Sequence, residues 1–182
     1  ERPEDAERLR VLVDSADVMI ETERPGRMSE LGLGFEDLST RNPELIYISV
    51  SPYGQSGPKR GWKGVDLTAE AAGGMLQISG QAEDPPAQGP ANPAYSMAGL
   101  VGAAGAMIAL HGRGKEEGRR GVHIDISLQE AILSALVQTS NPNHYLWRGE
   151  IPTRPALSQA MHCADGKWLG ANILGNRIEG FI

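Results

Sequence analysis

The apolar positions of this chain fall into two periods, and the breaks between them are rich in Gly and Pro. Leu9, Leu12, Val13 and Ala16 recur at helical spacing, which predicts an amphipathic helix. Residues 17–21 then read as a short strand, and Arg24-Pro25-Gly26 as a turn. Residues 27–31 and 35–41 predict two short helices, separated by Gly32 and Gly34 and closed by Asn42-Pro43. Residues 45–51 are a run of apolar and β-branched side chains, the mark of a strand covered on both faces. That run stops in the polar loop Pro52-Tyr-Gly-Gln-Ser-Gly-Pro58, as a parallel strand does when it delivers a loop to a ligand crevice. Strand, two helices and strand make a crossover unit, so the pattern predicts a parallel α/β layer.

Further along, residues 66–78 predict a helix that is broken or closely packed at Gly73-Gly74. The proline-rich residues 84–93 are expected to form an extended loop. Residues 95–110 carry no charge and are dense in Ala and Gly, with Gly99, Gly102 and Gly105 three apart. Such a helix is expected to approach its neighbours closely and to be packed on most sides. The order of glycines does not match a dinucleotide-binding loop. Residues 122–127 alternate as a half-buried strand, with His123 and Asp125 on one face. Residues 128–137 predict a helix that starts in a capping box of Ser127 and Glu130. Residues 160–172 read as a hairpin turned at Asp165-Gly166.

Composition narrows the classes. The 182 residues are 40% apolar and 22% charged, enough for a real core in a globular protein. A net charge of −6 argues against a nucleic-acid partner, and the basic residues Arg113, Lys115, Arg119 and Arg120 are interspersed with Glu116 and Glu117. The single cysteine, Cys163, excludes an internal disulfide, and no second Cys or spaced His pair completes a metal site with it. A reducing, cytoplasmic location follows as an expectation. No apolar run is expected to reach the length of a membrane span, so no membrane partner is expected. The first residue is not Met, and both ends are expected to be cuts from a longer protein, leaving apolar surface around Ile46, Ile48 and Val50 uncovered.

Four segments carry a resemblance to family III CoA-transferases, the CaiB/BaiF group. Residues 16–26 resemble the family's A-D-V-x-x-E-N-F-R-P-G, and residues 31–47 its L-G-L-G-y-e-x-L-x-x-x-N-P-x-L-I-Y. Residues 49–58 resemble S-x-S-g-F-G-Q-x-G-P, and residues 119–131 resemble G-x-G-q-x-v-D-v-S-l-x-e-A. The hairpin at Ala164-Asp-Gly-Lys-Trp168 resembles A-D-G-k-W. The resemblance implies a Rossmann-like open parallel sheet, here partial, running into a smaller domain, in chains that interlock as a dimer. Residues 1–115 would then belong to the large domain and its small-residue helix. Residues 116–182 would supply the strand, helix and hairpin that lead into the smaller domain.

The resemblance also implies chemistry, the transfer of CoA from an acyl-CoA to a carboxylic acid. An aspartate before the small-residue helix is the family's nucleophile, and it forms a mixed anhydride and then an aspartyl-CoA thioester. That position falls on Tyr95, and no Asp or Glu lies between Asp84 and Glu116. A phenol cannot form an acyl anhydride, so no catalytic residue is assigned. The family's CoA contacts fall on Thr22, Glu23, Arg24, Lys63, Gly64, Val65 and Asp66. Thr22 and Glu23 replace the family's Asn-Phe pair, which removes a stacking ring. Lys63 could pair with a CoA phosphate. The related racemases need a His at the place of Val65, so racemisation lacks its base here. Coenzyme A and acyl-CoA are expected as substrates, with no permanently bound cofactor and no metal.

Three readings stay open. The chain is part of an active transferase; or it is a catalytically silent half that completes a homodimer or a tandem-fused partner, as Tyr95 suggests; or it is a binding module that shares only the fold. An Asp or Glu beside the Gly54-Gln55 loop would count against the silent half.

Overall fold

The structure is a computed structural model and describes residues 3–80, 83–113, 120–136, 147, 149 and 160–170. At its centre lies a three-stranded parallel sheet, β1 (Val18–Glu21), β2 (Ile46–Ser51) and β3 (Val122–Ser127), in the order β1-β2-β3. Ile48 of β2 sits opposite Ile20 of β1 and Ile124 of β3. The α2 (Arg27–Glu30) and α3 (Phe35–Ser39) helices link β1 to β2. The longer crossover to β3 holds α4 (Asp66–Ala72), α5 (Met75–Ile78) and α6 (Pro93–Arg113). α1 (Pro3–Val13) precedes the sheet and α7 (Leu128–Leu136) follows it. The strands therefore run as the hydrophobic pattern predicts, and the fold is an open parallel α/β sheet.

β2 is the middle strand and is buried on both faces, which is why its apolar run is continuous. On one face Ile46 and Ile48 meet Ala69 of α4, Ala94 and Ala98 of α6, and Leu128, Ala131 and Ile132 around α7. On the other, Leu45 and Tyr47 meet Val13, Leu33 and Leu38. Ile46 and Ile48 are thus fully covered, which corrects the expectation that this surface would lie open. Helices supplied by the same chain close over it. The separate hairpin of β4 (Ala160–His162) and β5 (Trp168–Gly170) is antiparallel and turns at Asp165 and Gly166, as predicted.

Two helices differ from their predicted packing. α1 stops at Val13, and the Asn42 side chain donates to the carbonyls of Val13 and Ala16 at 2.9 and 2.8 Å, closing its C-terminus. Leu12 is 67% exposed, and the stripe that faces inward is Val13, buried, with Ala6 and Leu9 partly buried beside it. α6 was expected to be packed on most sides, yet only Ala94, Ala98 and Gly102 are buried. It lies on the sheet by one side, where Gly102 and Gly105 let Ile126 and Ile124 approach, while Leu100, Met107 and Ile108 face outward. Small residues permit close approach on any side but do not supply the neighbour. Its 21 residues, with an 18-residue stretch of mean hydropathy 1.4, are also long and apolar enough to cross a membrane by length and composition. That corrects the expectation that no run reaches this length; counting large apolar side chains undervalues alanine.

The glycine pair between α4 and α5 does both things expected of it. Gly74 takes a left-handed φ of 89°, which breaks the helix. A Cβ on Gly73 would lie 2.7 Å from Ile132 Cγ2, so α4 and α7 touch there through bare backbone.

Candidate functional site

The carboxyl ends of parallel strands are where open α/β sheets place their ligands. Here those ends carry Glu21, Ser49 and Asp125, from β1, β2 and β3. The loop after β2 lies across them, and Gln55 is its hub. Its backbone N–H donates to the Asp125 carboxylate, its side-chain oxygen accepts from Gly26 N–H at 3.3 Å, and its side-chain nitrogen reaches Glu21 Oε1 at 3.5 Å. One residue thus ties the loops after β1 and β2 to the end of β3. Gly54 has a φ of 85° and sits against Asp125, where a Cβ would lie 3.4 Å from the carboxylate. Glycine serves there because the turn needs the left-handed region.

Beneath this edge is a cavity of about 30 Å³, lined by Glu21, Arg24, Phe35, Ser49, Gln55 and His123 among others. Its floor is aromatic. The rings of Phe35 and His123 stack at 5.6 Å, and Tyr47 meets His123 edge-on at 5.2 Å. His123 Nε2 and Ser49 Oγ are hydrogen-bonded at 2.8 Å. The Tyr47 hydroxyl donates to the Leu33 carbonyl at 3.2 Å, and burial, followed by the Glu21 and Asp37 carboxylates, pushes its ionisation well above the usual phenol range. His123 and Asp125 do share a face, as expected, but each has its own partner, Ser49 for one and the Gln55 N–H for the other.

The residues that the resemblance marked as CoA contacts fall into two groups. Thr22, Glu23 and Arg24 follow β1. Glu23 N–H donates to Glu21 Oε2 at 2.7 Å, and Arg24 pairs with Glu30 at 2.5 Å. Glu30 also pairs with Arg27 at 3.1 Å, and Arg24 first, then Arg27, hold its carboxyl below the usual range. Lys63, Gly64, Val65 and Asp66 lead into α4. Lys63 is exposed, and Gly64 is pressed against Pro52 and Tyr53, where a Cβ would come within 2.6 Å. The Thr68 hydroxyl accepts from Val65 N–H at 2.8 Å and so caps α4. Asp66 is buried at 4% exposure, and its Oδ1 accepts from Tyr95 N–H at 3.0 Å.

Tyr95 lies in the first turn of α6 with its side chain half exposed. Carboxylates are nonetheless close to the site. Asp125 stands beside the Gly54-Gln55 loop, the arrangement that counts against a silent half. Glu70 was not singled out from the sequence. Its signal was the spacing Asp66-x-x-x-Glu70, which puts two carboxyls on one helix face, but such spacing is ordinary on solvated helices. Among the described residues, no group of three or more His, Cys, Asp or Glu could hold a metal ion.

Comparison with known proteins bears on all of this. The model of CoA-transferase family III matches residues 1–178. The succinyl-CoA–D-citramalate CoA-transferase of Chloroflexus aurantiacus is 36% identical over 178 residues, covering 93% of this chain and 44% of that protein. The succinyl-CoA:(R)-benzylsuccinate CoA-transferase subunit BbsE of Thauera aromatica is 37% identical over 164 residues, covering 87% of this chain and 38% of that one. A solved CaiB/BaiF family protein from Brucella suis superposes with a TM-score of 0.81 at 30% identity, over 91% of this chain and 44% of its own. The chain spans less than half the length of these relatives.

Proposed function

The chain belongs to CoA-transferase family III, and we propose that the protein it represents moves CoA from an acyl-CoA thioester to a carboxylic acid. The observation that carries this reading is the match, over 93% and 87% of this chain, to relatives that are themselves named succinyl-CoA-dependent CoA-transferases. The strand ends add support, because Glu21, Gln55 and Asp125 form a polar rim where a parallel sheet receives its ligand.

In such a reaction a protein carboxylate attacks the thioester carbonyl, the C–S bond breaks, and CoA leaves as a thiolate. The thiolate then attacks the protein-side carbonyl of the anhydride and expels the first acid. The acceptor acid enters by the reverse steps. Tyr95 cannot take the first role. Of the described carboxylates at the strand ends, Asp125 is exposed, whereas Glu21 is buried. Asp125 is therefore the first candidate for the acyl-carrying group.

The silent-half reading keeps Tyr95 in its favour and loses ground to Asp125. Partners belong to the proposal as well. Succinyl-CoA–L-malate CoA-transferase of Chloroflexus aurantiacus, another relative, has alpha and beta subunits, which supports assembly as an interlocked homodimer or with a second family half. Thr22, Glu23, Arg24 and the residues from Lys63 to Asp66 are the proposed CoA contacts, and a cytoplasmic setting with free CoA thioesters fits the reading. The test uses the full-length protein with succinyl-CoA and a panel of carboxylic acids. New acyl-CoA products, with a CoA adduct mapped by mass spectrometry to a carboxylate of this chain, are expected. Transfer that proceeds only with a second family protein, with the adduct on that partner, would establish the silent half instead.

A further inference from the structure

Asp66 and Glu70 stand one turn apart on α4, and both are buried, at 4% and 0% exposure. Each has one oxygen held by a backbone N–H from a different segment. Tyr95 of α6 donates to Asp66 Oδ1, and Gly89 of the proline-rich loop donates to Glu70 Oε2, both at 3.0 Å. The remaining oxygens, Asp66 Oδ2 and Glu70 Oε1, are buried without a donor. Two ionised carboxylates so placed would leave two buried acceptors unsatisfied and two like charges side by side. One proton resolves both problems. Carried on Glu70 Oε1, it is donated to Asp66 Oδ2, and each orphan becomes the partner of the other.

We propose that Asp66 and Glu70 share a single proton and act as a positioning pair, latching the proline-rich loop and the first turn of α6 onto α4. Only its catalytic consequence, the placement of the α6 start beside the reacting acyl group, rests on the reading as a CoA-transferase. The loop is not simply extended, as its composition suggested. Ala91 and Asn92 take left-handed φ values of 61° and 50°, which bend the chain between the two latch points, Gly89 and Tyr95. Burial first, and then hydrogen bonding and charge from Asp66, raise the Glu70 carboxyl above its ordinary value, against the opposing pull of the Gly89 N–H and the Gln88 side chain.

The elements packed against α4 add little charge. α5 has no titratable residue, α7 contributes Glu130, and α6 contributes Tyr95, His111 and Arg113. The proline-rich loop carries Asp84, with Glu83 just before it, and among the described residues Asp66 is the charged group that acts on Glu70. The sign of the pH dependence follows. An acid raised on folding holds its proton more tightly in the folded state, so its stabilisation is full below the ordinary value of 4.5 and is lost as pH rises through the raised one.

Glu70→Gln separates the proton from the shape. Its amide nitrogen can donate to Asp66 Oδ2 at any pH while its oxygen accepts from Gly89. In the full-length protein, infrared difference spectra should show a protonated carboxyl band that E70Q abolishes. The wild-type melting temperature should fall as pH rises through the window, while E70Q stays level there. E70A should melt several degrees lower throughout and slow CoA transfer about tenfold or more by loosening the α6 start, with E70Q restoring the rate. If E70Q leaves the band in place, or follows the wild-type pH profile, the shared proton is refuted; if E70A does not fold, E70Q alone decides. Absence of transfer by wild type would remove the functional reading but would not alter the infrared and melting outcomes.

Discussion

The backbone N–H of Gln55 lies 2.9 Å from one oxygen of Asp125 and 3.1 Å from the other, so the loop after β2 is fastened to the C-terminal half of β3 by a charge-assisted hydrogen bond. Ser49 and Asp125 are register partners in the parallel pair. The bond therefore closes the sheet edge at the point where the Gly54-Gln55 loop turns away from it.

Asp125→Ala should release that loop. Removing the acceptor is expected to cost about 1–3 kcal/mol, measured by chemical unfolding, and to lower CoA transfer at least about tenfold. Asp125→Asn keeps an oxygen for the Gln55 N–H and should retain most of the stability. If it also retained full transfer, Asp125 would not be the acyl-carrying carboxylate.

Gly73→Ala tests the contact between α4 and α7. The new Cβ would meet Ile132 Cγ2 at 2.7 Å and the Gln129 carbonyl at 2.9 Å. Backbone cannot move aside as a side-chain tip can, so a loss of about 1–3 kcal/mol is expected despite the gain in helix propensity. A thermal melt at or above that of the wild type would mean that the helices separate freely.

Tyr47→Phe removes a buried hydroxyl and leaves the Leu33 carbonyl without its donor. The expected cost is about 1 kcal/mol or a little more. The same burial predicts that Tyr47 ionises above the usual phenol range, so an ultraviolet titration of Tyr47→Phe should lack a strongly alkaline step that the wild type shows.

Acid should loosen the surface pairs. The Arg41 guanidinium bonds Asp14 at 2.7 and 2.8 Å, and that hydrogen bond above all holds the Asp14 carboxyl below its ordinary 3.8. Glu30, between Arg24 and Arg27, is held below its ordinary 4.5. Groups lowered on folding contribute above their unfolded values and lose that contribution as pH falls through the folded ones. Both carboxylates are solvent-exposed, so the effect should be small and should shrink further in high salt. Salt-insensitive acid unfolding that Arg41→Gln leaves unchanged would contradict it.

The strands of the sheet were legible in the sequence because each is written in its own residues. The apolar run ending at Ser51 and the Gly/Pro loop after it could only be a strand that stops, and the alternation of residues 122–127 could only be a strand with two unlike faces. Gln55 was legible as a loop residue of a ligand crevice, but not as the link between Gly26, Glu21 and Asp125. The sequence also read α6 as helical and Gly73 as a point of close approach. It did not say which sides of α6 would be covered, because small side chains define a possible contact and the neighbour is chosen by the layers around it. Nor did it bring Asp66 to Tyr95, which are 29 residues apart. Periodicity orders residues along one element, whereas the meeting of two buried carboxyls with backbone N–H groups from two other segments depends on how α4, the loop and α6 stack. Only the tertiary structure decided that, because burial turns a pair of ordinary carboxylates into groups that must find donors or share a proton.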